Sequence, residues 1–311
     1  MEKKSKILLL GGTGFVGRSL LPGISDFADV YIPCHDTLPD FADSAHIIRC
    51  DSADFFGSLL EKTKDIKFDF VLNLIRKDFD RDFVLSLIEF LKSQKNKNDR
   101  CGILHFSSIA EYRKTESSYS ISKRTEKQML LENNVCDAIL TLPIVRPNPV
   151  IYTDLQPFIT SFVRCKKLLN NMMISIINHE FLQKSVCVLL QNLDIRSNKP
   201  EHYVAISCIE KFADFLGISE PLSPECSIQD VRNEICANNN ISDHLKDKLL
   251  RYLEIADIDD ENQRRQYNHH LAFGDSETYF CCSGQTHIYQ DVVCSKETDY
   301  TKLFPKQKLS S

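Results

Sequence analysis

The chain is poor in the features that would place it outside ordinary α/β chemistry. Its longest apolar runs fall far short of a membrane span, so no membrane-spanning role is expected. No block of lysine and arginine is long enough to suggest a nucleic-acid partner, and the net charge is −5. Twelve cysteines are present, but no C-x-x-C pair occurs among them. Cys50, Cys101, Cys136 and Cys187 lie in or beside apolar runs, where a thiol behaves as a small hydrophobe; free buried thiols are expected. No G-x-S-x-G elbow supports a hydrolase. The start, MEKKSKILLLGG, has the charges of a secretory signal but only four apolar residues, so a cytoplasmic protein is expected. Internal repeats and low-complexity linkers are also missing.

What remains is a chain of 311 residues with 42% hydrophobic and 26% charged content, enough for one large α/β unit or a domain with a smaller lobe. Its organising stretch is KILLLGGTGFVG, Lys6 to Gly17. Ile7 to Leu10 form an unalternating apolar run, as in a parallel strand covered on both faces. Gly11, Gly14 and Gly17 then recur at G-x-x-G-x-x-G spacing before a helical pattern begins. Such a loop turns the chain out of the strand and lets a pyrophosphate approach the backbone. The helix that follows offers its N–H groups and positive dipole end to the phosphates. Pro22-Gly23 is expected to end or kink that helix early.

Strand patterns continue at Val30–Ile32, His46–Cys50, Asp69–Leu74, Gly102–Ser108 and Asp137–Leu142, with a helical pattern over Phe83–Leu91. Asp36, just past the second strand, suits the ribose hydroxyls of a dinucleotide, whereas Arg18 and His35 suit a 2′-phosphate; NAD and NADP both stay open. Asp51-Ser52 follows the third strand, either to meet an adenine amino group or to cap the helix beginning near Asp54. Asn73 ends the fourth strand, on the ligand-binding side of such sheets.

Tyr119-Ser120-Ile121-Ser122-Lys123 is a Y-x-x-x-K at the start of a strongly helical segment. Four-residue spacing sets the phenol and the ammonium one turn apart on one face, where the cation favours the phenolate. Beyond Leu142 the chain is punctuated by Pro143, Pro147 and Pro149 and the alternation ends. Helices are expected over 156–168, 179–191, 209–216 and 241–254, and strands over 202–206, 277–282 and 287–293. The charged run 257–266 reads as a solvated face. His269, His270, Cys281, Cys282, His287 and Cys294 lack any standard zinc spacing, and no metal is expected. His179-Glu180 reads as a helix start.

Together, Gly11-Gly12-Thr13-Gly14-Phe15-Val16-Gly17, Asp51, Ser107-Ser108 and Tyr119-x-x-x-Lys123 resemble the short-chain dehydrogenase/reductase superfamily, and its extended branch of sugar-nucleotide epimerases, dehydratases and reductases. The resemblance covers about residues 6–150; beyond them, EHYVAISCIEKFADFLGI is similar to the late strand and helix of extended members. It implies a Rossmann-type, doubly wound parallel sheet over 1–150 and a smaller mixed substrate lobe over 151–311, partly interleaved with it. It implies NAD or NADP held by Gly11, Thr13, Gly14, Phe15, Val16, Gly17, Arg18, Asp51, Ser52, Asn73, Tyr119 and Lys123. Ser108, Tyr119 and Lys123 would be catalytic, and Ser108 and Asn148 would meet the substrate, a nucleotide sugar. A homodimer is usual in such families. The sequence departs from the pattern at Asn73-Leu74-Ile75-Arg76, where the family has small residues, and in a short interval from Ser108 to Tyr119. The alternative function class is a dinucleotide-binding sensor or scaffold without turnover.

Overall fold

The computed structural model describes residues 4–35, 45–75, 80–112, 118–146, 173–193, 195, 200–206, 208–211, 226–240, 242–243, 246, 249–250, 253 and 278–281. Asp36, Asn148, the helix expected over 156–168, the run 257–266 and the strand expected over 287–293 lie outside the described residues, as do His269, His270, Cys282, His287 and Cys294.

The first strand, β1 (Ser5–Leu10), forms where the apolar run predicts, and Ile7, Leu8, Leu9 and Leu10 are completely buried. Such a strand is stable only with a layer on each face, and the chain supplies both. Ile7 and Leu9 pack toward helix α1 (Phe15–Ser25) and helix α5 (His179–Asn192). Leu8 and Leu10 pack toward α2 (Phe55–Lys62) and α3 (Arg81–Lys97). Truncating one of these leucines to alanine removes about 2–5 kcal/mol.

Strands β2 (Ala28–Cys34), β3 (His46–Arg49), β4 (Phe70–Asn73), β5 (Gly102–Ser108) and β6 (Ala138–Leu142) join β1 in an all-parallel sheet. The sheet is completed by β9 (Glu201–Ile206) and β11 (Thr278–Cys281), giving the order β11-β9-β6-β5-β4-β1-β2-β3. Strands after residue 150 therefore rejoin the sheet begun by β1. Its order reverses at β1, which pairs with β2 on one side and β4 on the other. A crevice outside the carboxyl ends of β1 and β4 is where such a sheet binds ligands.

Pro143 separates β6 from β7 (Ile144–Val145). It has no N–H for a ladder, and beyond it the chain enters a second sheet, ordered β10-β8-β7. Here β8 is Met173–Ile177 and β10 is Cys208–Lys211.

Two local expectations are corrected. Pro22-Gly23 neither ends nor divides α1, which runs on to Ser25. Pro22 removes one internal hydrogen bond but lies on the exposed side, while Leu20, Leu21 and Ile24 hold the helix to the core. Gly23 is pressed against α5, where an added Cβ would come within 2.9 Å of the Gln183 side chain. The helix expected over 209–216 is replaced at its start by β10, antiparallel to β8 with Ile209 opposite Ser175. The partner strand, 30 residues and more upstream, outweighs the local helical pattern. Helix α6 (Ile228–Ala237) was not foreseen, although Ser227 and Asp230 form a reciprocal capping box at its start.

Candidate functional site

The glycine loop divides its three spaced glycines by task. Gly11 has φ +80°, and a Cβ there would lie 2.8 Å from the Leu74 carbonyl carbon. At Gly17 a Cβ would lie 2.5 Å from the Gly12 Cα. Both are required by the fold itself. Gly14 is different: a Cβ would meet only the Gly11 carbonyl oxygen, at 3.3 Å, and the residue is exposed with extended backbone. It is also the N-cap of α1, where no side chain caps the helix and no acidic residue sits in the first turn. An open cradle at an uncapped helix N-terminus, at the switch point of the sheet, fits an anionic ligand such as a pyrophosphate. Thr13 is exposed, and Phe15, Val16 and Arg18 are half-buried around the same turn.

The bulk of Leu74 and Ile75 does not obstruct this loop. Leu74 presents its backbone to Gly11, donating its N–H to the Leu10 carbonyl at 2.9 Å, and its side chain joins the cluster with α1. Ile75 packs into the opposite cluster. The small residue at this crossing is supplied by Gly11.

Asp51 and Ser52 are exposed just past β3. Asp51 Oδ1 accepts from the Ala53 N–H at 2.8 Å, and the Asp51 N–H donates to Ser58 Oγ at 3.1 Å. The capping role belongs to Asp54, which accepts from the Gly57 N–H at 3.1 Å. Asn73 is fully buried: its amide donates to His105 Nδ1 at 3.0 Å and accepts from the Ile75 N–H at 3.3 Å. Ser108 ends β5 half-buried, its Oγ accepting from the Ala110 N–H at 3.3 Å.

Tyr119 is half-buried at the start of α4 (Ser118–Glu132), and Lys123 is buried one turn on. The Lys123 ammonium donates to Glu126 Oε2 at 2.8 Å, with side-chain exposures of 8% and 11%. The face that α4 turns inward thus carries Ser122, Lys123 and Glu126 alongside Leu130. It covers a row of polar strand residues, His105, Ser107 and Thr141, whose chain neighbours Leu104, Phe106 and Leu140 face the other cluster.

Glu111, in the 3₁₀ turn after β5, binds this row together. It accepts from Lys127 Nζ at 2.9 Å, Ser107 Oγ at 3.0 Å and Thr141 Oγ1 at 3.5 Å, and Arg124 Nε donates to its carbonyl at 3.1 Å. His105 is held well below the usual histidine range, first by burial and then by the Lys123 and Lys127 charges. With Nδ1 accepting from Asn73, the neutral ring carries its proton on Nε2, which has no partner among the described residues.

Sequence reasoning missed His105, Glu111, Glu126, Lys127 and Thr141. The available signal was a histidine inside an otherwise apolar strand and a helix whose inward spacing is charged. Cys50, Cys101 and Cys136 are buried free thiols, as expected, and so is Cys34, whereas Cys187 is a free thiol only half-buried; burial pushes Cys50 up to about 11 and Cys101 up to about 12. Among the described residues no three potential metal ligands come together, and no helix is long and apolar enough to cross a membrane.

No protein-family model matches the sequence, and no curated protein matches it. Solved structures do resemble it in fold. A nucleoside-diphosphate-sugar epimerase from Staphylococcus aureus superposes with TM-score 0.57 at 14% identity, covering 84% of this chain and 95% of its own. A dTDP-glucose 4,6-dehydratase from Bacillus anthracis, solved with NAD, gives 0.53 at 12% identity, with 80% and 96% covered. The thiolation-reductase di-domain of an archaeal non-ribosomal peptide synthetase gives 0.55 at 13% identity, with 86% and 70% covered. The chain therefore has the Rossmann-like α/β fold of these enzymes, and at such identities the likeness concerns the fold.

Proposed function

We propose that this chain is a dinucleotide-dependent enzyme of the short-chain dehydrogenase/reductase type acting on a nucleotide sugar. The observation that carries the proposal is the uncapped N-terminus of α1 at Gly14, exposed at the switch point of the sheet. Gly11, Thr13, Gly14, Phe15, Val16, Gly17 and Arg18 would surround the pyrophosphate of NAD or NADP. Asp51 and Ser52 would meet the adenine from the end of β3, and Asn73 would brace the crevice wall through His105. When bound, the nicotinamide supplies a hydride acceptor or donor. Tyr119 would exchange a proton with a substrate hydroxyl or keto oxygen, and Ser108 would hydrogen-bond that same oxygen. Lys123 would stabilise the phenolate of Tyr119 and hold the nicotinamide ribose. Asn148 is assigned to the substrate by the resemblance alone.

Epimerase, dehydratase and reductase chemistry all use this set, and the epimerase, dehydratase and reductase neighbours support each class. A sensor or scaffold is the second reading, favoured by one observation: the Lys123 ammonium is engaged by Glu126. The test is turnover of a panel of nucleotide sugars with NAD and with NADP, by the parent and by Tyr119→Phe. The enzyme reading expects Tyr119→Phe to lose turnover by about 100- to 10,000-fold while still binding dinucleotide. Tight dinucleotide binding with no turnover by the parent on any sugar would instead make the protein a sensor.

A further inference from the structure

Two polar side chains lie completely buried near the reversal of the sheet: Asn73 on β4 and His105 on β5, opposite each other in register. Asn73 is also opposite Leu10, the last residue of β1 before the glycine loop. The hydrogen-bonding roles of the pair follow from one fixed donor. The Ile75 N–H can only donate, so the Asn73 atom that meets it at 3.3 Å is the carbonyl Oδ1. The amide nitrogen is thereby turned to His105, whose Nδ1 lies 3.0 Å away and must accept. A histidine accepts only while neutral, and burial, with the Lys123 and Lys127 charges from α4, keeps this one so.

The backbone that this amide holds is the wall of the glycine loop. Leu74 donates its N–H to the Leu10 carbonyl at 2.9 Å. Its own carbonyl stands so near Gly11 that a Cβ there would lie 2.8 Å from the carbon and 2.9 Å from the oxygen. The Gly11 carbonyl in turn accepts from the Gly14 N–H at 3.0 Å, at the N-terminus of α1. An unbroken run of contacts thus leads from His105 to the exposed turn.

We infer that His105 is a positioning residue for the dinucleotide crevice: as a buried acceptor it fixes the Asn73 amide, and through it the Leu74–Ile75 backbone that seats the glycine loop. This role rests on the proposed binding of a dinucleotide there. His105 has no exposed surface and itself touches no ligand. Without the acceptor, the Asn73 amide loses the partner that selects its orientation, and a flipped amide would turn its own N–H groups toward the Ile75 N–H. The loop would then be seated loosely, and part of the binding free energy would go into ordering it.

His105→Leu removes the acceptor, whereas the amide oxygen of His105→Asn, like Nδ1 attached directly to Cγ, keeps it. Calorimetric titration with NAD and with NADP, far below the melting temperature of each variant, is expected to show about tenfold weaker binding in His105→Leu and near-parental binding in His105→Asn. Hydrogen exchange at the Ile75 amide, followed by NMR in the ligand-free protein, should quicken about tenfold in His105→Leu and return to the parental rate in His105→Asn. A residue that only filled space would lower the melting temperature without either change. Dinucleotide binding undiminished in His105→Leu, or diminished as much in His105→Asn, would overturn the inference. If His105→Leu does not fold, His105→Gln, whose amide lies one bond farther out, replaces it with the same expectations. A parent that binds neither dinucleotide would sink the enzyme reading and leave Ile75 exchange to judge His105 by itself. There a quickened rate in His105→Leu that His105→Asn restores upholds the positioning role, and an unchanged rate rejects it.

Discussion

At Gly17 one added methyl group would have to share space with the Gly12 backbone, 2.5 Å away, whereas at Gly14 it would press only on the Gly11 carbonyl oxygen, at 3.3 Å. The two substitutions should therefore separate folding from binding. Gly17→Ala is expected to cost about 1–3 kcal/mol and to lower the melting temperature measurably. Gly14→Val is expected to lower the melting temperature less than Gly17→Ala does, and to abolish dinucleotide binding, read by calorimetry. The spacing of these glycines was legible in the sequence because it reports a local turn. The positions of Asp51, Ser108 and Tyr119 at the ends of their elements were legible for the same reason. Glu126 was not: in sequence it is one more charge on a charged helix, and only its pairing at 8% and 11% exposure gives it meaning.

Helix α4 is the element whose burial runs against its composition. It covers β5 and β6 with lysine and glutamate as well as Leu130, and the ionic contacts must be complete for that to be tolerated. Glu111→Ala would remove the carboxylate that binds Lys127, Ser107 and Thr141 together, and should destabilise the protein by about 3–5 kcal/mol in denaturant unfolding. Replacing both Glu111 and Lys127 by apolar residues of similar size should restore most of that loss. Elements set by short-range pattern, such as β1, β5 and α5, formed at the places their periodicity marks. Those set by a distant partner did not: β10 is a strand because β8 lies beside it, and α1 survives Pro22 because α5 packs against Gly23. No local pattern carries such information.

Across the whole molecule, His105, His179 and His202 are all held below the ordinary histidine value of 6.5, each mainly by burial. The unfolded chain takes up protons on these rings below that value while the folded chain resists them. Their contribution to stability is therefore full above pH 6.5 and falls as the medium is acidified through the depressed folded values. Melting temperature should hold steady above pH 6.5 and begin to drop just below it, before ordinary carboxylates titrate near pH 4. His105→Gln should shallow that early drop. The proposed function requires that the crevice at the reversal of the sheet bind a dinucleotide. Calorimetric titration of the parent and of Gly14→Val with NAD and NADP tests it most directly. One dinucleotide per chain on the parent and none on a Gly14→Val that still melts cooperatively is the predicted result; a parent that binds neither, or a Gly14→Val that binds as well as the parent, would contradict it.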